Sequence, residues 1–137
     1  MKTRGSAVDL QSSGVKYLSV EEVLAIHERL IERFGGTSGV RDTGLLESAL
    51  FRPQTGYYGD LVEMAAALFE SLLLNHAFVD GDKIIAFFAT DVFLRLNGWK
   101  ISVDGPQAHK SLIGRLEAGI CNYETLIAWI RENLEEL

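Results

Sequence analysis

One cysteine, two prolines and no surplus of positive charge set the first limits on this 137-residue chain. A lone Cys121 cannot form an internal disulfide or build a cysteine metal cluster, and it reads as a small residue beside a helix start at Asn122. With prolines only at Pro53 and Pro106, little interrupts long helical periods. Basic residues number 13 against 19 acidic ones, for a net charge of -6 and a pI near 5.0. No basic surface is therefore expected to displace counterions, and direct nucleic-acid binding is not expected. No apolar stretch is long enough to span a bilayer, and the polar segment from Met1 to Gly14 lacks the apolar core of a secretory signal. No membrane association is expected, and the expected location is cytoplasmic. His27, His76 and His109 lie too far apart to suggest a zinc site.

The composition that remains is that of one globular domain, with 47% hydrophobic and 23% charged residues. Residues 1–14 read as a tail and residues 15–137 as a single domain. The patterning is helical. Ser19 and Glu22 form a capping box that opens a helix to about Phe34, with Val23, His27, Leu30, Ile31 and Phe34 on its apolar face. Gly35 and Gly36 stop it. A short helix starts at Asp42 or Thr43 and ends before Pro53. Asp60 caps a third, to about His76. A fourth runs from Asp82 or Lys83 to Leu96 and is apolar almost all round, which predicts a central position. Residues 99–103 form a short strand or an extended connector, Pro106 begins a fifth helix, and Asn122 caps a sixth to about Leu134, with Glu132, Glu135 and Glu136 as its solvated end. The expected fold is mainly all-α, roughly six helices around a central buried one, with at most a short β segment or flap.

Between the third and fourth helices the chain reads His76-Ala77-Phe78-Val79-Asp80-Gly81-Asp82-Lys83-Ile84. A histidine there can accept a proton. Asp80 is a hard oxygen ligand suited to Mg²⁺ shared with phosphates. Gly81 permits a tight turn and close backbone approach, and Phe78 can anchor the loop to the core. The amides opening the next helix favour an anion. Together these elements suit phosphoryl or nucleotidyl transfer. Asp80 with Asp82 could alternatively form a metal pair.

On these residues the chain resembles the Fic/Doc family and, within it, the death-on-curing (Doc-like) toxins, whose loop reads His-x-Phe-x-Asp-Gly-Asn-Lys-Arg. The likeness extends to Tyr17–Glu22, Gly39–Leu50 and Arg52–Gln54, which are similar to the family's amino-terminal half, and to Phe87–Gly98, which is similar to its central helix. The resemblance implies a Fic/Doc-type helical bundle that moves part of ATP, or a related nucleotide, onto a hydroxyl of a target protein with Mg²⁺. Most such proteins transfer AMP. The Doc branch, with a lysine where others have glycine, is associated with phosphate transfer to elongation factor Tu. Carried over, the resemblance makes His76 the general base, Asp80 the metal ligand, Phe78 the loop anchor and Gly81 the turn. Lys83 becomes a catalytic phosphate contact, and Gly81, Asp82, Lys83 and Ile84 form the phosphate-binding stretch. It also implies a flap that docks the target by strand addition, for which Tyr57 and Tyr58 are the candidates, with an ordinary surface loop as the alternative. Arg52 either reaches the active site or pairs with an acid of its own helix. The implied partner is an antitoxin that lays a helical segment in a groove of the toxin. No internal inhibitory helix of the Ser/Thr-x-x-x-Glu type is evident, in accord with inhibition by a separate chain.

Two positions depart from the pattern. Asp82 stands where the family has asparagine, and Ile84 where it has arginine. The loop thereby has two acids and one base instead of one acid and two bases. Asp82 can still cap a helix, but its carboxylate repels a phosphate. Ile84 cannot make arginine's bidentate contacts. Losing one such charge stabiliser costs about 3 kcal/mol in a barrier. The expectation is a weakened transferase, or a catalytically inactive binding module that still recognises antitoxin or target.

Overall fold

The computed structural model describes residues 14–102, 114, 119 and 121–137. Five helices and one pair of short strands are seen among them. Helix α1 spans Val20–Phe34, α2 Thr43–Phe51, α3 Leu61–Asn75, α4 Asp82–Leu96 and α5 Tyr123–Asn133. Strands β1 (Trp99–Ile101) and β2 (Leu134–Glu136) pair antiparallel, with Trp99 opposite Glu136 and Ile101 opposite Leu134. The helix expected from Pro106, and His109 within it, lie outside the described residues.

The helix starts follow from local capping. Ser19 and Glu22 form the reciprocal box of α1, with Glu22 N–H donating to Ser19 Oγ at 3.1 Å and Ser19 N–H to Glu22 Oε1 at 2.9 Å. Asp42, Asp60 and Asn122 each accept a backbone N–H from the first turn of α2, α3 and α5. Gly35, at φ 85°, ends α1. On α1, Val23, His27 and Leu30 are buried, whereas Phe34, assigned to that apolar face from its spacing, is 58% exposed.

The centre of the domain is α3, not α4. Residues Leu61, Val62 and Met64–Phe69 are all buried, and α3 packs against α2, α4 and α5. Its small side chains Ala65, Ala66 and Ala67 allow close approach on several sides. Helix α4 buries Ile85, Ala86, Ala89, Phe93 and Leu94 but leaves Phe87, Phe88 and Val92 half-buried. Its nearly continuous apolar sequence made it look more interior than it is.

The carboxyl end also differs from expectation. Glu135 and Glu136 are not a solvated helix end, because the chain leaves α5 at Leu134 and pairs with β1. Ser102 N–H donates to Asn133 O at 2.6 Å, and Leu137 N–H to Gly98 O at 3.1 Å, closing both ends of the ribbon. Ser102 and Lys100 hold the exposed Glu135 carboxyl below its ordinary range, the serine hydrogen bond contributing most.

Candidate functional site

Helix α3 ends at Asn75, and His76 follows as its C-cap in the left-handed region, at φ 51° and ψ 47°. It is the only non-glycine residue with positive φ among those described. That conformation costs a β-carbon-bearing residue about 1 kcal/mol. Arg41 holds it in place. Its Nε donates to His76 O at 2.7 Å and its Nη2 to Asn75 O at 3.3 Å, so the guanidinium closes the carbonyl end of α3. The imidazole itself projects outward, with 66% of the side chain exposed.

An extended segment runs alongside the loop. Val40 and Phe78 form an antiparallel bridge, Arg41 N–H and Asp42 N–H both donate to Ala77 O, and Val79 N–H donates to Gly39 O at 3.1 Å. Phe78 is 2% exposed and stacks on His27 of α1, with ring centroids 3.9 Å apart. The loop is therefore anchored to the core through Phe78.

Asp80 sits in a backbone cradle. Its Oδ2 accepts from Thr37 N–H at 3.1 Å and its Oδ1 from Gly81 N–H at 2.9 Å. Gly36 must be glycine here: its φ is +117°, and an added β-carbon would lie 2.7 Å from Asp80 Oδ2. Gly81, at φ 80°, turns the chain into α4. It, and not Asp82, is the N-cap of α4, and no side chain among the described residues caps that helix. Asp82, its first residue, turns back into the loop. Its Oδ1 accepts from Phe78 N–H at 3.2 Å, and its Oδ2 lies 3.6 Å from His76 Nδ1. The two carboxylates thus face different partners. Among the described residues no cluster of three or more His, Cys, Asp or Glu could hold a metal ion.

His76, Asp80, Gly81, Asp82, Lys83 and Ile84 line one cleft of about 650 Å³ with Leu73, Leu74, Val79, Gly119 and Cys121. A cleft of that size accommodates a nucleotide-sized ligand. The structure brings His76, Asp80, Gly81, Asp82, Lys83 and Ile84 to this cleft, while Phe78 points into the core against His27. It places Arg52, Tyr57 and Tyr58 elsewhere. Arg52 donates from Nη1 to Glu70 Oε1 at 2.8 Å and Ser71 Oγ at 3.0 Å, and from Nε to Tyr58 Oη at 2.9 Å. Its acid is on α3, not on its own helix. Burial works against the guanidinium's charge, yet Glu70 and Tyr58 raise its pKa above the ordinary value. Tyr58 packs on Tyr123, and Tyr57 is 87% exposed. The backbone that runs beside the loop is Gly39–Asp42, not the tyrosine pair.

Sequence reasoning passed over Thr37, Gly36 and Arg41 as loop supports. Two weak signals pointed to them: a double glycine where one suffices to end a helix, and an arginine just ahead of a capping aspartate.

A profile of the Fic/DOC family matches residues 17–94, which runs from before α1 to two residues short of the end of α4 and includes the whole loop. The chain belongs to the Fic/DOC family. Two curated relatives place it near Doc proteins. It is 44% identical to "Toxin Doc" of Mycolicibacterium smegmatis over 94 residues, covering 65% of this chain and 70% of that one. It is 28% identical to "Protein kinase doc" of Escherichia phage P1 over 127 residues, covering 90% and 96%. The predominantly helical architecture accords with this Fic/DOC membership. No helix among the described residues is long and apolar enough to cross a membrane.

Proposed function

We propose that this chain is a Doc-like toxin that transfers a phosphoryl or AMP group from ATP, or a related nucleotide, to a hydroxyl of a target protein. The observation that carries the reading is His76. Its backbone is held in an unfavourable conformation while its ring stands at the lip of a cleft that also exposes the uncapped start of α4. A structure that maintains such strain around an exposed imidazole favours a functional role.

His76 Nε2 takes the proton of the attacking hydroxyl. The new O–P bond forms as the P–O bond to the departing part of the nucleotide breaks, and the leaving oxygen carries away the electron pair. The Asp82 carboxylate beside Nδ1 favours the tautomer with its proton on Nδ1, which leaves Nε2 free to accept. The first amides of α4 and Lys83 meet the phosphate charge. Asp80 is the residue that would hold Mg²⁺. Each of its oxygens has one backbone donor and further acceptor capacity, and a single carboxylate suits a metal that arrives with phosphates better than a protein-caged one. When bound, the metal would neutralise phosphate charge.

Activity is reduced at two positions. Ile84 withholds a donor from the phosphates, and Asp82 adds a negative charge near them while orienting His76, two effects of opposite sign. The proposed target is a translation factor such as elongation factor Tu, the proposed partner an antitoxin with a helical segment that fills a groove, and the proposed location cytoplasmic. The second reading, an inactive module that only recognises antitoxin or target, is favoured by Ile84. Transfer from ATP labelled at the α or γ position decides between them. The Asp82→Asn, Ile84→Arg double variant is expected to gain roughly a hundredfold, and His76→Ala in that background to lose the gain. If the unaltered chain is already as fast as the double variant, the account of the loop is wrong. If neither transfers anything, the module reading stands.

A further inference from the structure

We infer that His27, 53 positions from Asp80 in sequence, is a positioning residue that sets the Asp80–Gly81 turn. His27 lies in the middle of α1 on the face that carries Val23 and Leu30, and it is 2% exposed. Its Nε2 is 2.7 Å from Asp80 O. A carbonyl only accepts, so Nε2 carries the proton and donates. Placing an imidazole on an apolar helix face costs desolvation that a phenylalanine or leucine would avoid, and this hydrogen bond offsets it. The ring stacks on Phe78 at an interplanar angle of 17°, so one side chain grips the loop at two points two residues apart. The fit is close, since a β-carbon on Gly81 would meet His27 Nε2 at 3.4 Å and Ile31 Cδ1 at 3.4 Å.

Thr37 N–H holds the Asp80 carboxylate from the other side. The helix and the turn at its end therefore form one template. His27 fixes the Asp80 carbonyl, Gly36 leaves room for the carboxylate, and Thr37 orients it. The purpose of the loop rests on the proposed transferase reading; the geometry His27 imposes does not. Without the Nε2–H donor the Asp80 carbonyl loses its partner, the turn relaxes, and the carboxylate shifts relative to His76.

The test uses the full chain without nucleotide. Imidazole ¹⁵N spectra of the wild type should show His27 protonated at Nε2; a ring protonated only at Nδ1 overturns the inference whatever any variant does. His27→Phe keeps volume and stacking but lacks the donor, and His27→Gln restores an N–H at similar reach. His27→Phe should displace the amide resonances of Asp80, Gly81 and Thr37 and speed exchange of the Thr37 amide, while His27→Gln returns them toward wild type. Unmoved loop resonances in a folded His27→Phe chain overturn the inference. Transfer, assayed in the Asp82→Asn, Ile84→Arg background, should fall by about tenfold or more with His27→Phe and recover with His27→Gln. If the loop moves but no version of the chain transfers anything, the transferase reading fails and the role of His27 stands.

Discussion

Two polar clusters flank the central helix α3, and they are organised in opposite ways. Toward one side, Arg52, Tyr58, Glu70, Ser71 and the Tyr123 amide satisfy one another. Glu70 Oε1 takes Arg52 and its Oε2 takes Tyr123 N–H at 2.7 Å, and the arginine lies over both tyrosine rings. At the carboxyl end of α3, His76 is exposed, Lys83 is exposed, and α4 begins without a cap. The loop's backbone is firmly held, but its reactive groups face a cleft. In the first cluster the side chains are spent on each other. In the second, Arg41 and His27 are spent on backbone carbonyls and the Thr37 amide on the Asp80 carboxylate, while the His76 and Lys83 side chains stay exposed. An exposed charged residue is weak evidence of function by itself, but a rigid mount under an open side chain is stronger evidence.

The sharpest way to break this contrast is to mutate the open cluster and look for a stability cost. His76→Gly should lower transfer by at least about a hundredfold in the loop-restored background. Stability should stay level or rise by up to about 1 kcal/mol, because glycine adopts positive φ freely. Labelled-nucleotide transfer and urea unfolding read the two effects separately. A large loss of stability would mean that His76 belongs with the closed cluster.

The converse experiment is Glu70→Ala, which strands Arg52 and the Tyr123 amide. Both side chains of the pair retain some solvent, so the expected loss is about 2 kcal/mol, below that of a fully buried pair. Transfer per folded molecule should not change. A Glu70→Ala chain of full stability but impaired transfer would erase the distinction between the clusters.

A third position sharpens the comparison by belonging to neither. Thr90 on α4 is fully buried, and its Oγ1 has no hydrogen-bond partner among the described residues. Thr90→Val should raise stability by up to about 1 kcal/mol, measured by urea unfolding, since it removes a desolvated hydroxyl that gains nothing. A loss instead would point to a partner for the hydroxyl in solution.

The smallest effect is expected at Glu135, beside β1. Its folded-state pKa is depressed by Ser102 and then by Lys100. Its contribution is therefore present above the ordinary glutamate range and fades as pH falls through the lower folded value. Backbone amides of the β1–β2 pair should exchange faster relative to α3 as the solution is acidified through that range, and a Glu135→Gln chain should lose this dependence.

Helix boundaries were legible because their causes are local. Ser19, Asp42, Asp60 and Asn122 cap within three residues of themselves, and Gly35 stops α1 where it stands. The loop was legible for the same reason, as nine consecutive residues carry it. Three things were not. Pairing of Leu134–Glu136 with Trp99–Ile101 depends on where two distant ends meet, and acidic residues gave no strand signal. The centrality of α3 over α4 depends on small residues admitting neighbours, which apolar periodicity does not report. The acid that takes Arg52 lies 18 positions away on another helix. The same reasoning explains why Asp82 could be read as a helix cap when its carboxylate turns toward Phe78 and His76.

The manner in which the loop is held limits what the motif can do by itself. Its main fastenings reach back 35, 43 and 53 positions, to Arg41, Thr37 and His27. A peptide copied from His76 through Leu96, or those nine loop residues grafted onto a foreign scaffold, would keep the spelling and lose the shape. Any transplant must bring the far half of α1 and its glycine turn with it.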